Sequence, residues 1–138
     1  MAFTRRTGKT KAMWFPKAAS TAIAEGAALV FSSGYVTPAT STSPILAGIS
    51  RKTVASTDSD YASHTLIPVE VPVEDGVKWE ALTASAVATD IGVACDLTDS
   101  VTVNRGGTSH KVVTITDVID ATHVLVVLNS FFGHLNGA

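Results

Sequence analysis

Catalysis needs nucleophiles, acids, bases or metal ligands at set spacings, and this chain of 138 residues carries a few candidates. Ser63-His64 joins a hydroxyl to an imidazole, the partners of nucleophilic catalysis. A triad is a geometry that adjacency does not supply, and no Gly-x-Ser-x-Gly elbow is present. Gly8-Lys9-Thr10 matches the end of a phosphate-binding loop but lacks the earlier glycine and a strand before it. Gly106-Gly107 lacks the lysine spacing and precedes a strand-like run rather than a helix. His64, His110, His123 and His134 are scattered, and Cys95 has no Cys or His beside it, so the ligand spacing of a metal site is missing. Asp58 and Asp60 read as turn residues, because the rest of a calcium loop is absent. Glu70, Glu74 and Glu80 are of the type that cleaves glycosides in pairs, but nothing fixes their separation, and exposed acids of a small β domain are the plainer reading. Cys95 lies in Gly92-Val93-Ala94-Cys95-Asp96-Leu97, where a buried small hydrophobe is expected rather than a reactive thiol. The expectation is therefore a protein that is not an enzyme, with no catalytic residue, no cofactor, no metal and no small-molecule substrate.

Charge is a stronger signal. Arg5, Arg6, Lys9, Lys11 and Lys17 precede the first acid, Glu25. Residues 1–17 carry +5, while the remainder sets five cations against twelve acids for −7, which together make the net −2. This segment has no apolar period of 2 or 3.6, so neither strand nor helix is predicted for it. It reads as a basic extended N-terminal arm, either docking on an acidic surface or polyanion or simply solvated. Trp14 and Phe15 favour docking, as anchors in a pocket of a partner or on the chain's own body. The candidate partner-binding residues are Arg5, Arg6, Lys9, Lys11, Trp14 and Phe15. An arm beside two aromatics also suits nonspecific nucleic-acid contact, against which stand the acidic body and the lack of a stacking platform.

The elements that would position these residues are read from 18–138, as one domain. The chain is 46% hydrophobic but only 16% charged, against about 25% for an average domain. That argues against disorder and for a surface partly covered by a partner. One cysteine excludes an internal disulfide. No apolar run reaches the ~18 residues of a membrane span, and Pro16, Lys17 and Glu25 interrupt any secretory apolar region. Val, Ile and Thr runs punctuated by Gly, Pro, Ser and Asp predict strands at 27–31, 35–37, 45–49, 77–82 and 91–97. Pro68 and Pro72 predict that 64–73 is an edge strand or is broken by bulges. Residues 83–88 predict a loop or a single helical turn. Residues 100–104 and 111–116 flank a hairpin-like loop, and 123–129, apolar on both faces, predicts a central strand covered on both sides. Short strands without a long helix give an all-β fold, a small β-barrel or β-sandwich with the extended N-terminal arm. Phe131 and Phe132 either close the domain's own core, which is slightly favoured, or form an oligomer contact.

Residues Ala22-Ile23-Ala24-Glu25-Gly26-Ala27-Ala28-Leu29-Val30 lead into Gly34-Tyr35-Val36-Thr37-Pro38-Ala39-Thr40 and then Ser43-Pro44-Ile45-Leu46-Ala47-Gly48-Ile49. With Ala88-Thr89-Asp90-Ile91-Gly92-Val93-Ala94 and the run from Ile119 to Val127, this order resembles the capsid decoration, or cement, proteins of tailed bacteriophages. The resemblance covers most of residues 20–130, rests on order and style rather than on a catalytic signature, and leaves the basic arm out. It implies a β-rich virion protein on the outer surface of an icosahedral capsid, made in the host cytoplasm. Its implied partners are the major capsid protein and its own copies, with a trimer favoured. A phage tail or spike component, or a nucleic-acid-binding β-barrel using the arm, is the alternative.

Overall fold

The computed structural model describes residues 3–43, 45–132 and 134–135, the last two by their backbone alone. It is all-β apart from a 3-10 turn at Ala88–Asp90. The strands are β1 Thr4–Thr7, β2 Thr10–Pro16, β3 Ala28–Ser32, β4 Tyr35–Pro38, β5 Gly48–Ser50, β6 Leu66–Pro72 and β7 Lys78–Leu82. They continue as β8 Ala94–Asp99, β9 Thr102–Asn104, β10 Val113–Asp120, β11 His123–Leu128, β12 Ser130–Phe131 and β13 His134–Leu135.

One sheet runs β1-β7-β11-β10-β8-β9, and a parallel pair, Leu82 with Thr102, returns β9 to β7. Strands β7, β11, β10, β8 and β9 thus close a five-stranded barrel. Two register breaks in β10, between Ile115 and Asp117 and between Val118 and Asp120, supply the coil that so small a ring demands. Alternate residues Trp79 and Ala81, Val124 and Val126, and Val113 and Ile115 are buried, together with Cys95 and Leu97. The second sheet runs β2-β6-β5-β3-β4. It also curls, since Lys17 just past β2 bridges Val36 of β4. One apolar core joins the two bodies.

The barrel resolves the choice between barrel and sandwich, and four local expectations are corrected. The segment expected as an irregular arm over 1–17 is not one over its described residues 3–17: β1 pairs with β7 of the barrel and β2 pairs with β6 of the second sheet. Residues 64–73 are not an edge, because β6 lies between β2 and β5. In an antiparallel ladder residues bond to one side and then the other. Opposite β2, Pro68 and Pro72 face Trp14 and Thr10 at positions whose nitrogen points away from β2. On that other side β5 spans only three residues and takes Pro68 through its carbonyl, Arg51 N–H donating at 3.0 Å. The loop after Asn104 does not close a hairpin: β9 pairs with β8 and β7, and β10 with β8 and β11. Finally, β11 is central, but its second face is half-buried rather than fully covered.

Candidate protein-binding face

The N-terminal cations meet an acidic surface on their own chain. Arg5 Nε donates to Glu70 Oε2 at 2.6 Å, and Thr10 Oγ1 donates to the same oxygen at 2.6 Å. Arg6 Nε donates to Glu80 Oε1 at 2.8 Å. The backbone N–H of Lys9 donates to Glu74 Oε1 at 2.8 Å. The three glutamates that resembled hydrolytic acids are thus the docking points of β1 and of the turn into β2. Lys17 goes further in. Its side chain is 0% exposed, and Nζ donates to the carbonyls of Ala18 at 2.8 Å, Tyr61 at 2.6 Å and Ser63 at 3.2 Å. Burial holds its pKa below the usual lysine value, partly opposed by Asp60.

Trp14 and Phe15 part company because neighbouring strand residues point to opposite faces. Phe15 turns inward, its ring 5.0 Å from Phe31 and 5.3 Å from Phe132, with Phe31 and Phe132 5.5 Å apart. Trp14 points outward and is 61% exposed. Its cross-strand partner is Pro68, and the next pair on that face is Pro16 with Leu66, which is 54% exposed. Trp14, Pro16, Leu66 and Pro68 therefore form an apolar outer face on two strands paired with each other along their whole length, bordered by Glu70 with Arg5. Round the edge, Lys11, Met13, Val71, Glu74 and Phe132 line a cleft of about 510 Å³. Among the described residues the Lys11 side chain has no hydrogen bond or ion pair. Phe131 is 5% exposed and bridges Leu46, as expected of core closure, while Phe132 is 42% exposed.

The remaining candidates go to local structure. His64 Nδ1 lies 2.9 Å from Lys17 O, and its ring stacks on Tyr35 at 3.8 Å. Ser63 Oγ instead meets Thr65 Oγ1 at 2.6 Å, so Ser63 and His64 do not form a pair. Asp58 accepts the Ala55 N–H and Asp60 pairs with Lys52, both within their own loop. Among the described residues no three His, Cys, Asp or Glu side chains gather as a metal would require; the side chain of His134 lies outside them. His110 sits by Asp96 at 3.6 Å, and His123 by Asp120 at 3.0 Å. Burial pushes the Cys95 thiol up to about 11, assisted by Asp96 and Asp90.

Two features escaped the sequence reading. Asp96 accepts the backbone N–H groups of His110 at 2.6 Å, Lys111 at 2.7 Å and Ser109 at 3.2 Å, folding the 104–111 loop over β8. Burial pushes the Asp96 carboxyl up, but those N–H donors and His110 outweigh it and hold it below the usual range. Leu66, the second apolar residue of the outer face, was also missed; burial alternates along 66–71, but Leu66, Ile67, Pro68 and Val69 are all apolar, so no alternation in the sequence marked it.

No family model, curated protein or solved structure matches this chain.

Proposed function

We propose that the chain is a non-enzymatic virion structural protein. It decorates the outer surface of an icosahedral phage head and holds neighbouring major capsid subunits together. The order of segments over residues 20–130 supports the phage assignment. The observation that carries the binding role is the outer face of β2 and β6. Trp14 and Leu66 are large, apolar and more than half exposed, yet sit on strands fixed to a closed barrel through β1. Rigid aromatic anchors lose little freedom on binding, which suits them to the centre of an interface. Many copies per particle multiply a modest single contact.

The residues that make the contact differ from those of a free arm. Arg5 and Arg6 already neutralise Glu70 and Glu80, so Trp14, Leu66 and the unpaired Lys11 take the contact instead. The same pairing counts against phosphate binding by the arm. The test is occupancy on heads assembled without the protein, measured by co-sedimentation. Trp14→Ala with Leu66→Ser lowers apparent affinity at least about tenfold while the melting temperature stays within a few degrees, because both side chains lie outside the core. Equal occupancy by the folded double variant overturns the assignment of the face. Labelling of tails rather than heads points to a tail or spike component.

A further inference from the structure

We infer that two copies pair through β2, strand to strand across a twofold axis at Ala12. The backbone groups of β2 point alternately to its two sides. In its ladder with β6, Trp14 faces Pro68 and Thr10 faces Pro72, and neither proline has an N–H to give. The bonded positions are therefore Lys11, Met13 and Phe15. The N–H and C=O of Thr10, Ala12 and Trp14 project to the other side. Lys17 N–H donates to Thr65 O, whereas Ala18 N–H donates to Val36 O, which continues the same alternation. Strand β4 thus occupies that far edge only from Pro16, the last residue of β2, onward. Over residues 10–14, no described group bonds to the backbone from that side. Ala12 and Trp14 are exposed there.

A free edge is a template for another strand, and proteins normally blunt one with charge, proline or a bulge. Strand β1 is blunted in this way: Arg5 and Arg6 would oppose each other in an antiparallel copy. Strand β2 is not. Five antiparallel self-registers, centred on residues 10 to 14, oppose its edge-facing residues; those centred on Thr10 and Trp14 set Ala12 against Gly8 and Pro16, beyond the free stretch. Centred on Lys11, two lysines lie directly opposite. Centred on Met13, Thr10 meets the partner copy where β4 already stands. Centred on Ala12, Thr10 pairs with Trp14, Lys11 with Met13 and Ala12 with Ala12, and each of the three free positions finds a partner. Six backbone hydrogen bonds result, with no like charges opposed and the smallest side chain on the axis. The occupant is a second copy of this chain. The contact is twofold, so it is separate from a threefold grouping on a capsid, and it does not depend on the function proposed above.

Sedimentation equilibrium of the full chain, without heads, tests it. The wild type is expected to be a dimer within the range up to about 1 mM that small interfaces reach. Ala12→Pro removes an N–H that β6 does not use, in the same phase as the native Pro16. It is expected to weaken the dimer at least about tenfold while circular dichroism stays native. Should that variant fail to fold, Ala12→Lys places two charges on the axis and is expected to do the same. Ala12→Cys should form an intermolecular disulfide faster than the exposed control Ser56→Cys, because paired Cα atoms lie about 5.5 Å apart. A monomer or a trimer at every concentration overturns the inference, as does a dimer that neither the proline nor the lysine variant weakens.

Discussion

Lys17 shows how a single charge can be buried when its acceptors are in place. A desolvated ammonium costs several kcal/mol unless its donors are met, and here three carbonyls and the face of Tyr61, 5.6 Å away, meet them. Lys17→Met keeps the stem and loses those charged hydrogen bonds, for an expected cost of about 3 kcal/mol in denaturant unfolding. Two of the three acceptors lie 44 and 46 residues away in sequence, so the residues around Lys17 do not announce its burial. Cys95 is the opposite case, since its apolar neighbours foretell its position. With its thiol pushed up to about 11 and fully buried, it should react with thiol reagents only as fast as the chain unfolds. Labelling at native rates in the folded state would contradict that.

At the level of elements, the strands rich in Val and Ile were legible and the N-terminal pair was not. Strands β3, β4, β7 and β8 fall near their expected positions, because burial of one face imposes the period. Strand β1 reads Thr-Arg-Arg-Thr and lies at a sheet edge, so no apolar alternation marks it. Its partners Glu70 and Glu80 lie 65 and 74 residues downstream of Arg5 and Arg6, beyond any local pattern. The difference has consequences. A free arm could be removed without harm, whereas removal of residues 1–9 strips Phe3 from the core and β1 from the barrel. Loss of Phe3 alone is worth about 3–5 kcal/mol. The truncated chain should melt well below the full chain, and equal melting temperatures would show that β1 is dispensable. Gly48 tests the second sheet in the same way. Its φ of +154° and a built Cβ only 2.6 Å from Glu70 O leave no room where β5 meets β6. Gly48→Ala should cost about 1–3 kcal/mol.

For the whole molecule, the net −2 is a balance that has already been struck internally. The +5 segment lies against the −7 body, and Glu70, Glu74 and Glu80 receive it. Acid should undo such a molecule from its carboxylates. Asp90 is held low by Arg105 and the Val87 N–H, and Asp96 by its three backbone donors. Asp120 is held at about 2 by the Thr122 N–H and by His123. Their folded values lie below the unfolded ones, so their stabilisation is complete above the ordinary carboxylate range near about 4 and lost as the pH falls through each lowered value. Melting temperature should therefore decline steadily on acidification below that range, and Asp96→Asn should flatten the decline. What this architecture leaves for others is its outer β2–β6 face, and the reading of that face as a capsid contact is tested most directly on the particle. Purified protein is mixed with heads assembled from the major capsid protein of the same genome but lacking this chain, and sedimented occupancy is measured. Saturable binding to the outer surface is expected, weakened at least about tenfold by Trp14→Ala with Leu66→Ser. Heads that remain bare at saturating protein would contradict it.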